Sequence, residues 1–300
     1  MEKVTSKNLN KKPMNEPKGL SPWKIAKDRF FQNKLAVIGL VVLTILIFSA
    51  IFAPVLTPHD RDWQDRARIN DGPDGVNWLG FDDVGRDIYT RLIYGGRVSL
   101  SVGIIATLIA TTIGVTLGSI AGYFGGLADG IIMRLVDTIM CFPFFVIAVV
   151  LSATLGATVF NTILIIAAVR WTQIARVVRA EILSLKEREF VEAARALGLE
   201  KYEIIVRHLI PNVMAPIIVY STLSIATAIL LEAGLSFLGL GVSQPTPSWG
   251  NMLESAQSLI ALDNRPWQWM PAGFMVFITV LSINFVGDGL RDALDPKLKQ

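Results

Sequence analysis

The sequence predicts an all-α polytopic membrane protein of six transmembrane helices, and three observations carry the prediction. The composition is lipid-soluble: 52% of the 300 residues are hydrophobic and only 18% are charged, with a mean hydropathy of +0.50. Ordinary globular domains carry roughly 45–50% apolar and about 25% charged residues. The charges also gather in patches, so that 31 uncharged residues separate Arg97 from Asp129 and 32 more run from Thr138 to Val169. A span needs only about 20 apolar residues to cross roughly 30 Å of hydrocarbon.

The elements follow in order. Residues 1–34 form a tail with nine Lys/Arg, of which 1–20 read as disordered by composition. From Pro22 to Lys34, Trp23, Ile25, Phe30 and Phe31 alternate with cations. That pattern suits a short amphipathic helix on the inner surface, or a solvated juxtamembrane tail. Leu35–Ala53 is the first span, closed by Pro54. The polar leader before it and its own length mark it as retained rather than cleaved as a signal. A polar loop fills the region to residue 96, and eight Asp stand among six Arg over residues 54–97. Within it Gly80, Gly85, Asp82 and Asp83 read as a turn-rich outer cap, with Arg86 and Asp87 placed to pair locally. The second span covers about Leu100–Tyr123 and ends in Gly122, Gly125 and Gly126. Thr138–Val169 holds a third span and the start of a fourth, with the turn at Gly156–Asn161. Arg176–His208 is a charged helical segment, Leu209–Leu231 a fifth span and Pro266–Gly287 a sixth. Residues 97–288 thus make one five-helix unit and 289–300 a C-terminal tail.

Six spans place both termini on one side. The tail's nine cations, the seven of residues 176–208, and Arg291, Lys297 and Lys299 then share that side. By the bias of Lys and Arg towards cytoplasmic loops, both termini are cytoplasmic.

Several functions are excluded or disfavoured. The net charge of +3 is divided among segments flanking apolar runs, which argues against a nucleic-acid partner. The lone Cys141 permits no internal disulfide, and His59 and His208 lie far apart, so neither a metal site nor a catalytic cluster is expected. No G-x-x-x-x-G-K-[ST] phosphate loop occurs, so the chain does not hydrolyse ATP by that route.

The informative stretch is Glu187–Asn212. Phe190, Ala193, Ala194 and Leu197 recur at the spacing of one helical face. Gly198 follows as a residue free to adopt positive φ at a helix end. A second short helix then sets Tyr202, Ile205, Val206 and Leu209 on one side, and Pro211 opens the fifth span. This is a helix–Gly–helix elbow, with Ala193 and Ala194 small enough for close approach and Glu192 and Arg195 as polar contacts. An interfacial amphipathic hairpin fits the periodicity as well.

This stretch resembles the E-A-A-x3-G-x9-I-x-L-P loop of bacterial ATP-binding-cassette (ABC) importer permeases. Glu192, Ala193, Ala194, Gly198 and Pro211 match, while His208 and Ile210 depart from the usual Ile and Leu. Three further stretches resemble the dipeptide/oligopeptide/nickel branch, and its second permease in particular: Trp78–Leu100, Ser236–Met252 and Asn284–Lys297, with Phe81 in place of the usual Thr. The resemblance implies a type I importer transmembrane domain over 97–288 in a bacterial inner membrane. It implies an elbow (Glu192, Ala193, Ala194, Arg195, Gly198, Tyr202, Pro211) docked on an ATPase. The implied partners are a homologous second permease, one or two cytoplasmic ATP-binding subunits that bind the ATP, and an extracytoplasmic solute-binding protein. Di- or oligopeptides are the implied cargo, with nickel or another metal chelate as the alternative. A stand-alone secondary transporter is the runner-up class, and it would show an ion relay within the spans and discontinuous helices in both halves.

Charges within the spans are costly and face a cavity or a partner. Glu232, at the outer end of the fifth span, is a candidate for the translocation path or for binding-protein docking, with a snorkelling or interhelical contact as the alternative. Arg134 and Asp137 are expected to pair, and Arg170 to snorkel near the inner end of the fourth span.

Overall fold

A computed structural model of the protein describes residues 22–294, nearly all of them helical. Residues 1–20, Lys297 and Lys299 lie outside the described residues. Helix α1 (Pro22–Gln32) is the short helix expected there, and it leans on protein: Phe30 buries against Ala36 and Ala293. Asn33 then caps α2 (Lys34–Ile51), its side chain accepting from the Leu35 and Ala36 amides at 3.1 and 3.2 Å. Leu35, Ile38, Val41, Ile45 and Phe48 stand exposed along α2, the mark of a helix whose outer face meets lipid.

After the single turn α3 (Ala53–Leu56), residues 57–87 fold into a compact cap. Arg68 pairs with Asp71 at 3.1 Å and with Asp74. The Asp74 carboxyl is pulled down to about 2, first by the Asn77 backbone N–H, then by Arg68 and the Val76 N–H. The expected Arg86–Asp87 pair is not formed. Asp87 is committed as the cap of α4 (Ile88–Phe124), accepting from the Thr90 amide at 2.7 Å. Arg86 turns instead to Asp82 at 2.7 Å and to Gln244 at 2.8 Å. Arg91 reaches the same Gln244 oxygen at 2.8 Å, so two guanidinium groups clamp the cap to residues 238–248.

Helix α4 has 37 residues, roughly 55 Å at 1.5 Å per residue, and begins twelve residues before the expected Leu100. It admits Arg97 because that side chain caps α2, donating to the Ala50 and Ile51 carbonyls at 2.5 Å each. These are C-terminal carbonyls that the helix itself leaves unpaired. Helices α5 (Gly126–Met140) and α6 (Phe144–Leu155) meet at 87°, so the third span is broken. Pro143 enforces the break, having no N–H to continue α5.

Helix α7 (Val159–Leu185) starts where Thr158 caps the Asn161 amide at 3.1 Å. Its main partner is α4, and Gly114, Gly118 and Gly122 set the distance between them. A Cβ on Gly118 would lie 2.6 Å from the Ala175 carbonyl oxygen. Small residues at every fourth position are how membrane helices pack closely. Asp137 pairs with Arg176 at 2.6 Å rather than with Arg134, because α5 lies alongside α7; Asp129 and Arg179 pair in the same way at 2.5 Å.

Helix α8 (Glu189–Ala196) and the single turn α9 (Lys201–Glu203) follow. The chain then widens into a π-helical turn, Ile204–Leu209, and continues as α10 (Ile210–Phe237). Pro211 offers no amide to a tighter ladder, and the Ile210 N–H reaches back to Ile205. Lys201–Phe237 is therefore one rod of 37 residues. An irregular stretch, 238–248, leads to α11 (Trp249–Leu253), α12 (Leu259–Asn264) and α13 (Met270–Leu294).

Contacts place the helix ends on two faces. The cap lies with residues 238–268, and Ser243 ties the start of α7 to it through Ala157 at 2.7 Å. The far end of α4 meets the elbow, where Arg195 lies over Tyr123 and Lys201 over Phe124, each at 5.8 Å. Four helices are long and apolar enough to cross a membrane: Lys34–Ile51, Ile88–Phe124, Lys201–Phe237 and Met270–Leu294. The bent α5–α6 pair makes a fifth if it counts as one span. Length and composition thus stop short of the expected six, because α7 carries Arg170, Arg176, Arg179 and Glu181.

Candidate functional site

The elbow is built by a helix stop. Gly198 has φ +79°, and around it the Leu199 N–H bonds the Ala194 carbonyl at 3.2 Å while the Gly198 N–H bonds Arg195 at 3.0 Å. These bonds satisfy carbonyls that the end of α8 would otherwise leave open. Arg195 adds a bond to the Lys186 carbonyl at 3.3 Å. The bend is thereby fixed from both sides.

The face that packs inward differs from the one periodicity suggests. Val191 and Ala194 are buried, joining Ile204, Ile205 and Leu209 in a core with Val136 and Ile182. Phe190 and Leu197 stay exposed, Leu197 at 81%, and Ala193 is exposed with them. On the second arm Ile204, Ile205 and Leu209 turn in, while Tyr202 is 70% exposed and Val206 40%. The i, i+3, i+4, i+7 pattern therefore mixes two surfaces, with Ala194 inside and Phe190, Ala193 and Leu197 outside. Glu192 is exposed beside them, and Pro211 sits at the junction of elbow and rod. The result is an apolar, solvent-facing elbow on a rigid support.

Glu232 lies at the other end of the rod and is fully buried. Ser99 donates to one carboxyl oxygen at 2.9 Å and Ser236 to the other at 2.8 Å. Each serine oxygen in turn accepts an amide from the stretch after α10: Trp249 on Ser99 and Val242 on Ser236, both at 3.1 Å. A single carboxyl group thus joins α4, α10 and the 238–249 stretch. In this arrangement it makes an interhelical contact. Sequence reasoning missed the serines, since nothing in spacing ties Ser99 to Glu232.

Helix α7 runs from Val159 to Leu185, which leaves Arg170 in its middle third.

The helix bundle has the fold of a type I ABC importer transmembrane domain. The fold matches a chain of the MetNI methionine ABC transporter in an inward-facing form, with a TM-score of 0.59 at 17% identity, over 71% of this chain and 100% of that one. Two family models match: the binding-protein-dependent transport system inner membrane component over residues 114–300, and the N-terminal TM domain of oligopeptide transport permease C over 21–73. The chain is 44% identical to a dipeptide transport system permease protein of Alkalihalophilus pseudofirmus, over 96% of this chain and 94% of that one. It is 43% identical to an oligopeptide transport system permease protein of Escherichia coli K12, over 94% and 93%. The chain belongs to the family of binding-protein-dependent transport system inner membrane components.

Proposed function

We propose that this chain is one of two homologous permease subunits of an ABC importer and carries di- or oligopeptides across the bacterial cytoplasmic membrane by ATP-driven alternating access. The observation that carries the reading is the elbow, whose outer face of Phe190, Ala193, Leu197 and Tyr202 is apolar and uncovered while its inner face is locked into the core. The relatives named as dipeptide and oligopeptide permeases support the cargo. Helix α7 serves as the sixth crossing: its charged positions Arg176 and Arg179 are paired with α5 and lie towards the elbow end. The elbow face and both termini are cytoplasmic, and the cap faces outward towards a solute-binding protein.

In this reading the elbow docks on a separate ATP-binding subunit, which binds and hydrolyses the nucleotide. Its motion passes up the Lys201–Phe237 rod to Glu232, whose serine bonds hold the outer stretch 238–249. A ligand shifts a two-state equilibrium only by its differential affinity for the two states. The elbow must therefore bind the ATPase differently with and without nucleotide.

The test is Gly198→Pro or Glu192→Lys in the assembled transporter. Proline fixes φ near −65° and removes the N–H that bonds Arg195. Either change is expected to lower peptide uptake at least about tenfold, the effect of roughly 1.4 kcal/mol of lost coupling, while ATP hydrolysis and membrane insertion persist. Unaltered uptake would remove the elbow from the mechanism.

A further inference from the structure

We propose that Arg170 is a carboxylate-binding residue in the middle of helix α7, and that it receives the C-terminal carboxylate of a peptide in transit. This rests on the peptide-importer reading above and names a contact within it. Three observations converge on the residue.

The first is position. Arg170 is 11 positions from Val159 and 15 from Leu185, so at 1.5 Å per residue it lies roughly 17 Å from one end of α7 and 22 Å from the other. Ionisable groups within a span face a protein partner or a wet cavity.

The second is a missing counter-charge. Three other cations of the bundle have partners: Arg176 in Asp137, Arg179 in Asp129, Arg97 in the end of α2. Among the described residues no carboxylate pairs with Arg170, and its Nε is buried without a hydrogen-bond partner. Because a buried donor left unmade is costly, a fixed structural role would have supplied an acceptor.

The third is space. Arg170 lines a recess of about 190 Å³ with Gln173, Thr172, Thr227 and the rings of Phe142 and Phe144. A cavity needs only about 10–15 Å³ of such volume to hold a water, so a carboxylate and its flanking residue fit. The recess opens at the 87° break between α5 and α6. Beside Arg170 the Gln173 amide, whose oxygen accepts from Tyr220 at 3.1 Å, has N–H groups to offer a carboxylate, while the Thr172 and Thr227 hydroxyls donate to the Val169 and Leu223 carbonyls. A peptide of any sequence presents one such carboxylate, so a lone cation would grip varied peptides alike.

The experiment uses the complete transporter in proteoliposomes, driven by saturating binding protein preloaded with either trialanine or its C-terminal amide, with loading verified by isotope counting. Wild type and Arg170→Lys should take up the acid about tenfold faster than the amide, in keeping with the strength of a charge-assisted bond. Arg170→Gln should bring that ratio to about one by slowing the acid. An unchanged ratio in Arg170→Gln overturns the proposal. So does failure of Arg170→Gln, but not Arg170→Lys, to co-purify with the second permease, since the cation would then be meeting an acid of that subunit. A wild-type transporter that moves neither peptide sinks the peptide reading itself, and the contact with it.

Discussion

Glu232 shows what one side chain does when lipid forbids it water. Both carboxyl oxygens are satisfied by hydroxyls, and each hydroxyl is oriented by an amide of the outer stretch. Glu232→Ala strips Ser99 and Ser236 of their acceptor at a buried point, a loss of about 1–3 kcal/mol. The detergent-solubilised variant should melt several degrees below wild type, and residues 238–249 should exchange amide hydrogens faster. Glu232→Gln, which keeps one acceptor oxygen, should fall between the two. Wild-type exchange in Glu232→Ala would show that the stretch is held by Arg86, Arg91 and Gln244 alone. The role of Gly198 was legible from sequence, since a helix stop followed by a second amphipathic turn asks for positive φ there. The roles of Ser99 and of Asp87 were not. Ser99 meets a partner 133 positions away, and Asp87 is claimed by a helix start that uncharged-run length places twelve residues too late.

At the scale of elements, the contact between α4 and α7 organises the bundle, and it depends on Gly114, Gly118 and Gly122. Gly118→Val would drive a side chain into the Ala175 backbone, where no flexible group can yield. Overpacking of this kind costs about 1–3 kcal/mol or more. Membrane-inserted Gly118→Val is expected to be cut by protease within α4 and α7, whereas Gly130→Ala, where nothing lies within 4 Å of an added Cβ, should resist as wild type does. Equal resistance of the two variants would deny that close approach sets the pair. Spans were readable because lipid demands long uncharged runs, which α2, α4, α10 and α13 supply. The broken α5–α6 pair and charged α7 were harder to read. The 32 uncharged residues from Thr138 to Val169 cross two helix breaks, at Cys141–Pro143 and at Gly156–Thr158. Arg176 and Arg179 of α7 are tolerated because α5 pairs them, and that depends on tertiary neighbours. The elbow was legible in outline, but its inward face was not. Val191 and Ala194 turn inward because the ends of α4 and α7 and the π-helical turn lie on that side, and periodicity alone cannot say which of two apolar faces has a partner in the same chain.

For the whole molecule, the Lys201–Phe237 rod is the connection that matters. It begins at the elbow and ends at the Glu232 junction, so movement at one face is carried to the other along a continuous helix, interrupted by the wide turn at Ile204–Leu209 and by Pro216 within α10. The central claim is that the elbow meets a nucleotide-driven subunit. Cross-linking from the elbow tests it most directly: Leu197→Cys or Tyr202→Cys, in a Cys141→Ser background, within the assembled transporter. Both positions should cross-link to the ATP-binding subunit, with yields that change between nucleotide-free and ATP-bound states. Cross-links to lipid alone, or to that subunit with a yield indifferent to nucleotide, would contradict the account.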